Sequence, residues 1–311
     1  MLAAKILMDQ GLEVRLLTFV TPFFNARRAM VSSRIIGQTT RAVEITRSHL
    51  KMLQAPKYGY GRFVNPCIDC HALMFNIAGK IMEEEGGDFI FSGEVLGQRP
   101  KSQTLQALGI VAKLSGYGDR ILRPLSARRL PETVMEKTGQ VDRNRLLDFS
   151  GRSRKPQMEL ARKLRIEEYP SPAGGCALTD TIFSIRLKEL MSRSEGLDVR
   201  DVELLKWGRH FRLPGGDKLV VGRNERENQA LLWLSQPEDF IFSVEQIPGP
   251  IVLMAGEGLQ DKALAASITV SYSDAPDGIP HRVRMTHDRK EDSISGIGQK
   301  KEDFAHLMIK A

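Results

Sequence analysis

The stretch Asp88-Phe-Ile-Phe-Ser-Gly-Glu-Val-Leu-Gly-Gln98 joins a short apolar run to a polar turn that contains two glycines. The apolar run is typical of a buried strand, and glycine lets the backbone come close to a ligand. In open α/β sheets, ligands bind at the C-terminal ends of the strands. The alternative is an ordinary surface loop. We favour a binding turn, whose candidate cofactor contacts are Gly93, Glu94, Gly97, Gln98 and the nearby Gln103.

The elements around this turn predict an α/β domain. Residues 2–8 have apolar positions at helical spacing, residues 13–20 read as a strand, and residues 34–52 and 70–85 read as helices. This order of helices and strands favours a Rossmann-like, largely parallel sheet. Because such a domain ordinarily begins with a strand, we expect the first strand and its turn to be absent from the sequence.

The pattern changes after Ser194-Glu-Gly196, which is a plausible linker. Residues 209–221 predict a hairpin of two short strands around Pro214-Gly-Gly-Asp217. We therefore expect two domains: residues 1–193, and residues 197–311 as a second, smaller α+β domain. Residues 155–165 and 180–193 predict the last two helices of the first domain.

Composition narrows the class of protein. The chain has 311 residues with 41% hydrophobic and 27% charged side chains, which is typical of a globular protein. It contains neither a run of roughly 18–20 apolar residues nor a secretory cleavage site, so we expect a cytoplasmic protein. The formal charge of +7 allows binding to nucleic-acid phosphates, although many basic proteins bind none.

Three cysteines carry the strongest chemical signal. Cys67 and Cys70 are two residues apart in Asn65-Pro-Cys-Ile-Asp-Cys70, at a predicted helix start, and Cys176 follows a glycine pair. The paired spacing fits a redox pair, half of a zinc site or an iron–sulfur site. Three cysteines without a fourth would leave one position of a 4Fe-4S cluster open, whereas structural Zn2+ prefers four closed ligands, and His71 is poorly placed to be the fourth.

The first domain resembles a known family. Ser92-Gly-Glu-Val-Leu-Gly-Gln98, Ser102-Gln-Thr104 and Leu122-Arg-Pro-Leu125 are similar to the nucleotide-domain motifs of tRNA 4-thiouridine synthases. The Asn65–Cys70 stretch resembles a stretch of tRNA 2-thiouridylases, and a cysteine pair with a distant third is similar to the cluster-dependent thiouridine synthases. All of these enzymes are PP-loop ATP pyrophosphatases, and the resemblance covers about residues 1–190.

The second domain has a separate resemblance. Gly208-Arg-His-Phe-Arg-Leu-Pro-x-Gly216 followed by Leu219-Val-Val-Gly-Arg-Asn-x-x-Glu-Asn228 looks like the RNA-binding module of the NFACT family, over about residues 205–275. This resemblance and the basic side chains make this domain the predicted RNA-binding domain, with a solvated basic surface as the alternative. The candidate RNA contacts are Arg209, His210, Arg212, Lys218, Arg223 and Arg226.

Together the resemblances imply a tRNA sulfurtransferase with an adenine nucleotide alpha hydrolase-like fold. It would use ATP with Mg2+ to adenylate a uridine, and a sulfur atom would then replace the activated oxygen. Cys67, Cys70 and Cys176 would be catalytic as persulfide carriers, or would be metal ligands that hold a cluster. The partners implied are tRNA and a sulfur donor protein or sulfide, but neither DNA nor a membrane.

One departure from the family is large. Its phosphate-binding loop, Ser-Gly-Gly-x-Asp-Ser, is expected directly before a helix such as residues 2–8, so we expect the sequence as given to lack a full ATP site. Two other functions stay open: a non-catalytic RNA-binding protein derived from such an enzyme, and a zinc-stabilised nucleotide-binding protein. ATP-dependent sulfur incorporation and RNA affinity distinguish the three.

Overall fold

The computed structural model describes residues 1–170, 175–255 and 260–310. The chain forms two compact units, Met1–Thr179 and Asp180–Ala311. Part of the glycine-containing loop predicted before Cys176 lies outside the described residues. Within the described ranges, no helix is both long enough and apolar enough to cross a membrane.

The first unit mixes helices with short strands. Its helices, within the described residues, are α1 (Leu2–Met8), α2 (Arg27–Ile35), α3 (Thr46–Gln54), α4 (Cys67–Glu84), α5 (Leu105–Ser115), α6 (Val134–Lys137) and α7 (Lys155–Lys163). Its strands are β1 (Leu16–Val20), β2 (Thr40–Glu44), β3 (Ile90–Phe91) and β4 (Ile121–Leu122). The mixed helix and sheet content predicted for this part of the chain is confirmed.

The strands of the first unit pair in parallel, but in two separate sheets. β1 pairs with β2, so that Leu16 lies opposite Thr40, and β3 pairs with β4, so that Ile90 lies opposite Ile121. The sequence predicted one Rossmann-like sheet. The described residues form two two-stranded sheets instead, because β1 and β3 do not pair with each other.

One predicted helix is wrong. Residues 34–52 contain strand β2 between the end of α2 and the start of α3. Gly37 follows α2 with a φ of +70°, a left-handed conformation that stops the helix at little cost for glycine. The strand itself contains β-branched Thr40 and Val43, which suit an extended backbone.

The turn after β3 is held between well-defined elements. Helix α5 begins at a true cap, because Thr104 Oγ1 accepts a hydrogen bond from the Ala107 backbone N–H at 3.1 Å. It ends at Gly116, whose φ is +82°. Leu122 and Val95, on either side of this region, are buried in the same hydrophobic core. The turn therefore runs from a core strand directly into a capped helix.

The second unit is built around one antiparallel sheet. Its helices, within the described residues, are α8 (Thr181–Met191), α9 (Val199–Leu204), α10 (Glu225–Leu234) and α11 (Lys262–Ser271). Its strands are β5 (Arg209–Arg212), β6 (Lys218–Val221), β7 (Phe240–Val244), β8 (Val252–Ala255), β9 (Pro280–His287) and β10 (Lys290–Ile297). The six strands lie in the order β10-β9-β7-β8-β6-β5.

Alternation along these strands gives the sheet two different faces. One face packs against α11 and includes Phe211, Phe242 and Met254. The other carries Val220 and Leu253, which pack with residues of α9 and α10. The hairpin predicted over residues 209–221 is present as β5 and β6. An antiparallel sheet with helices on it is an α+β arrangement, as the sequence predicted for this part of the chain.

The boundary between the units lies earlier than the predicted one. The sequence placed residues 1–193 in the first domain and 197–311 in the second, whereas the units divide after Thr179. Helix α8 therefore belongs to the second unit. The reason is Arg186, whose guanidinium donates hydrogen bonds to the carbonyl oxygens of Leu205 at 2.8 Å and Gly208 at 2.9 Å.

We expect Arg186→Ala to lower the free energy of unfolding by about 2 kcal/mol or more, because each hydrogen bond from a charged donor contributes about 1.5–3 kcal/mol. Urea unfolding followed by circular dichroism measures the change. Lys188→Ala, an exposed position on the same helix, is the matched control and should change stability by less than about 0.5 kcal/mol. Equal effects of the two substitutions would contradict the role given to Arg186.

Candidate functional site

The first cysteine stands at the start of α4, in a loop organised by Asn65. The Asn65 backbone carbonyl accepts from the Gly61 N–H at 2.9 Å, and its side-chain oxygen accepts from the Phe63 N–H at 3.1 Å. Its Nδ2 then donates to Cys67 Sγ at 3.1 Å. A donor aimed at the sulfur fixes the position of the thiol.

The second cysteine is buried and touches a histidine that the sequence analysis missed. His49 Nε2 lies 3.3 Å from Cys70 Sγ. His49 is fully buried, and its ring packs against Phe23 and Phe24 with centroid distances of 5.2 and 5.5 Å. Burial lowers the pKa of His49 to about 4, so the ring is neutral at pH 7. Burial also raises the pKa of Cys70 far above its usual value.

Cys176, near the C-terminal end of the first unit, lies close to the surroundings of His49 and Cys70. The Ala177 N–H donates to the carbonyl oxygen of Phe23 at 2.8 Å, which docks the cysteine beside the aromatic residues around His49. Burial raises the pKa of Cys176 to about 11. The charges of Cys67 and Cys176 act on Cys70, and that of Cys67 acts on Cys176. The structure therefore brings the three thiols into one neighbourhood.

These thiols do not yet form a metal site. Among residues 1–170, 175–255 and 260–310, no group of three or more His, Cys, Asp or Glu side chains has the arrangement that holds a metal ion. Iron or zinc would have to displace the protons of Cys70 and Cys176, whose raised pKa values oppose that loss. Burial raises the pKa of Cys70 and of Cys176, and the described side chains offer no prepared ligand set.

The predicted binding turn contains a buried ion cluster. Glu94 Oε1 lies 2.8 Å from His71 Nδ1, and Glu94 Oε2 accepts from Arg123 Nε at 2.9 Å. Glu94 and Arg123 are each only 7% exposed. Burial by itself would raise the pKa of Glu94, but the hydrogen bonds and charges of His71 and Arg123 lower it to about 2. Glu94 is therefore ionised and committed to two partners.

The rest of the turn has unmet hydrogen-bonding capacity. Gly97 has a φ of +78°, and its N–H donates to the Gln103 carbonyl oxygen at 2.6 Å, which closes the loop. Gln98 Nε2, Gln103 Oε1 and Arg123 Nη2 are buried without a hydrogen-bond partner among the residues that the structure describes. Gly93 has open space where a Cβ would stand. Buried polar atoms without partners are rare and call for an explanation such as a ligand.

A cavity of about 600 Å³ separates the two parallel sheets of this unit. Residues of β1 and β3 line it from two sides, and apolar side chains of α1 and α4 line it as well. His71 and Glu94 also line this cavity, so charged groups adjoin its apolar wall.

Two of the predicted RNA contacts require correction. His210 is fully buried and its Nε2 donates to the Trp207 carbonyl oxygen at 2.8 Å, and Lys218 is 7% exposed. Both belong to the sheet face that α9 and α10 cover. Burial lowers the pKa of Lys218 to about 8 and lowers that of His210 well below its usual value. Neither side chain is on the surface to meet a phosphate.

The four arginines of the predicted set divide into two pairs. Arg212 is held by Glu189 at 2.7 Å and by the Gly216 carbonyl oxygen at 2.6 Å, and Arg223 is held by Glu227 at 2.9 Å. By contrast, Arg209 lies over the ring of Tyr272 at 5.1 Å, and Arg226 lies over the ring of Trp207 at 5.5 Å. The last two have no carboxylate partner among the described residues.

We expect Glu94→Gln to destabilise the protein by about 3–5 kcal/mol at pH 7, because it leaves the buried guanidinium of Arg123 without its counter-charge. The pKa of Glu94 is depressed from 4.5 to about 2, so the stability it contributes is complete above pH 4.5 and is lost as the pH falls toward 2. Urea unfolding at several pH values measures both effects. The variant should show the weaker pH dependence between pH 4.5 and 2.

Glu84→Gln is the matched control, because Glu84 is an exposed carboxylate on α4. It should unfold within about 0.5 kcal/mol of the wild type. A Glu94→Gln protein that is as stable as the control, with an unchanged pH dependence, would show that Glu94 is not a buried counter-ion.

We expect Cys70 to be alkylated more slowly than Cys67 in the folded protein, because Cys70 is buried and its raised pKa leaves little thiolate at pH 7. Timed iodoacetamide labelling followed by peptide mass spectrometry gives a rate for each cysteine. The same labelling in urea is the control, and there the rates should converge. Equal rates in the folded protein would mean that Cys70 is freely accessible.

Two family models match the chain. Residues 1–132 match the family described as thiamine biosynthesis protein (ThiI), and residues 208–306 match the NFACT protein RNA binding domain. The first match includes Cys67, Cys70 and Glu94, whereas Cys176 lies beyond it. The second begins at the residue before β5 and extends beyond β10.

Comparison with other proteins adds little to these matches. One similar solved structure is that of the C-terminal part of the fibronectin/fibrinogen-binding protein from Streptococcus suis, with 13% identity and a TM-score of 0.30. The alignment covers 78% of this chain and 96% of that one, but a TM-score this low does not establish a shared fold. No curated protein matches the chain. The two family matches confirm both resemblances seen in the sequence: the chain combines a ThiI-type segment with an NFACT-type RNA-binding domain.

Proposed function

We propose that the chain is an ATP-dependent tRNA sulfurtransferase that converts a uridine to a thiouridine. The observation that carries the proposal is the meeting of Cys67, Cys70 and Cys176 in a chain that also has an RNA-binding domain. Sulfur transfer needs thiols that can pass a sulfur atom between them, and modification of RNA needs a surface that holds the RNA. The ThiI match supports the same class of chemistry.

In the reaction that the resemblance implies, a uridine carbonyl oxygen takes the adenylyl group of ATP and pyrophosphate leaves. The terminal sulfur of a cysteine persulfide then attacks the activated carbon, and AMP departs with the oxygen. A second thiol attacks the sulfur–sulfur bond, which releases the thiouridine and leaves a disulfide between the two cysteines. The three neighbouring thiols supply both the carrier and the second thiol, and a donor protein that itself bears a persulfide would pass its terminal sulfur to the carrier thiol and be left as a thiol. If sulfide is the donor, it attacks the activated carbon directly, AMP departs with the oxygen, and no cysteine persulfide forms.

The polar side chains in and beside the predicted turn are suited to binding ATP with Mg2+. Gln98 Nε2 and Arg123 Nη2 are buried donors that have no partner within the described part of the chain, and they suit the oxygen or nitrogen atoms of a nucleotide. Glu94 is paired with His71 and Arg123, so its role is to hold the Arg123 side chain in place rather than to contact the nucleotide itself.

An adenine nucleotide alpha hydrolase-like sheet is part of the proposal. Two parallel pairs of strands face one cavity, and residues of β1 and β3 line it from two sides.

A 4Fe-4S cluster or Zn2+ on the three cysteines is the alternative route for the sulfur. The described side chains do not form a ready ligand set, so the proposal assigns the sulfur to thiol chemistry. Anaerobic reconstitution with iron and sulfide separates the routes. Brown protein with a cluster absorption that Cys176→Ser weakens would favour the cluster, and stoichiometric zinc without iron uptake would favour a structural role.

We expect that replacing the codon of Cys67 by one for Ser in the chromosome of the source organism abolishes one thiouridine in its tRNA, because a hydroxyl cannot carry a persulfide. Digestion of total tRNA to nucleosides and mass spectrometry measures it. Met158→Leu, which removes an exposed sulfur atom on α7, is the matched control and should leave the nucleosides unchanged.

Deletion of the whole gene is the experiment that can contradict the proposal. If every thiouridine persists in the deletion strain, the sulfurtransferase proposal is wrong. Binding of tRNA by the purified protein would then favour the second function, a non-catalytic RNA-binding protein, for which the NFACT match remains the supporting observation.

A further inference from the structure

Arg209, Tyr272 and Lys301 form a cluster in the second unit, which we call the Tyr272 cluster. The Arg209 guanidinium carbon lies 5.1 Å from the centroid of the Tyr272 ring, and Lys301 Nζ lies 5.5 Å from the same centroid. The two positive charges are therefore no further apart than the sum of these distances, which is comparable with the Debye length of about 10 Å at 0.1 M salt. Salt therefore reduces their mutual repulsion but does not remove it.

Each member of the cluster is fixed by the fold. Arg209 is the first residue of β5 and pairs with Val221 of β6. Tyr272 follows α11, and its ring packs edge-on against the buried Phe211 at 5.9 Å. Lys301 begins the short 3-10 helix Lys301–Phe304, which is anchored by Phe304, only 3% exposed. The fold therefore fixes the backbone positions of all three residues, and the side chains of Arg209 and Lys301 meet at the Tyr272 ring.

The charges of the cluster are not neutralised within the protein. Neither Arg209 nor Lys301 has a carboxylate within 4 Å among the described residues, whereas Arg212 and Arg223 do. Glu302 is near enough for its charge to act on Tyr272, but it forms no ion pair with either cation. The ring face attracts both cations, yet it carries no net charge to offset their repulsion. An anion between them would.

We propose that the Tyr272 cluster binds a phosphodiester group of RNA, with the phosphate held between Arg209 and Lys301. This site rests on the RNA-binding part of the proposed function and names the surface that carries it. Only Arg209 belongs to the contacts expected from sequence, because Lys301 and Tyr272 lie outside the basic hairpin. Arginine and lysine contacts to phosphate position an RNA without reading its sequence, so the site serves unrelated RNAs about equally.

The test is titration of the full chain with tRNA at several salt concentrations. The double variant R209A/K301A should lower the slope of log affinity against log salt by about two units, one for each lost phosphate contact. Affinity at low salt should fall by about tenfold or more. Lys301→Ala alone replaces an exposed side chain and should lower the slope by about one unit.

R284A/K290A is the matched control, because it removes the same formal charge from exposed positions of β9 and β10. These strands lie toward the opposite edge of the six-stranded sheet: β10 is five strand spacings, roughly 24 Å, and β9 four spacings, roughly 19 Å, from β5. The control should leave the slope unchanged. If both double variants lower it equally, binding depends on overall charge and the cluster is not a site.

Further outcomes distinguish a failure of the proposed site from a folding defect and from a failure of the wider proposal. Circular dichroism should show a wild-type thermal transition for Lys301→Ala, and the charge-conserving variant R209K/K301R should retain most of the salt slope. Wild-type binding that R209A/K301A leaves intact would overturn the site alone. A wild type that does not bind tRNA even at low salt would overturn both the site and the RNA-binding part of the proposed function.

Discussion

A carboxylate that leaves water must be met by cations or N–H donors, and this requirement organises both units. In the first unit, Glu94 is met by His71 of α4 and by Arg123 after β4, so the turn that follows β3 is fastened to both elements. In the second, Glu227 accepts from the Gly208 N–H and from Arg223, which fastens the start of β5 to α10. In each case one buried acid connects segments that are distant in sequence.

The cysteine site depends on a different kind of contact. Cys67 and Cys70 come from one helix start, but the partner of Cys70 is His49 of another helix, held between two phenylalanine rings. Cys176 arrives from more than a hundred residues further along and docks through a backbone bond to Phe23. The burial that collects the thiols also keeps Cys70 and Cys176 protonated near neutral pH. Their nucleophilic chemistry therefore has to begin with the loss of a proton.

Local patterns predicted what depends on local structure. The helix from Cys67, the strand before Glu94 and the hairpin from Arg209 were all readable, because capping, periodicity and turn residues act over a few positions. His49 carried no such signal, since only tertiary packing places it beside Cys70.

Two of the predicted RNA contacts, His210 and Lys218, were wrong for a related reason. Strand alternation puts His210 on the covered face of the sheet, and sequence could not show which face the helices would cover. The separation of β1 from β3 was equally invisible, because strand pairing partners lie far apart in the chain.

The pairing of Arg212 with Glu189 affects the electric field outside the protein. A charge that is matched inside the fold presents a dipole, not a monopole, to an approaching polyanion. The basic isoelectric point near 9.3 thus overstates the field that reaches solvent. The positive field that reaches solvent comes from cations without an ion-pair partner among the described residues, such as Arg209 and Lys301, and it biases the direction from which a nucleic acid arrives before any contact forms.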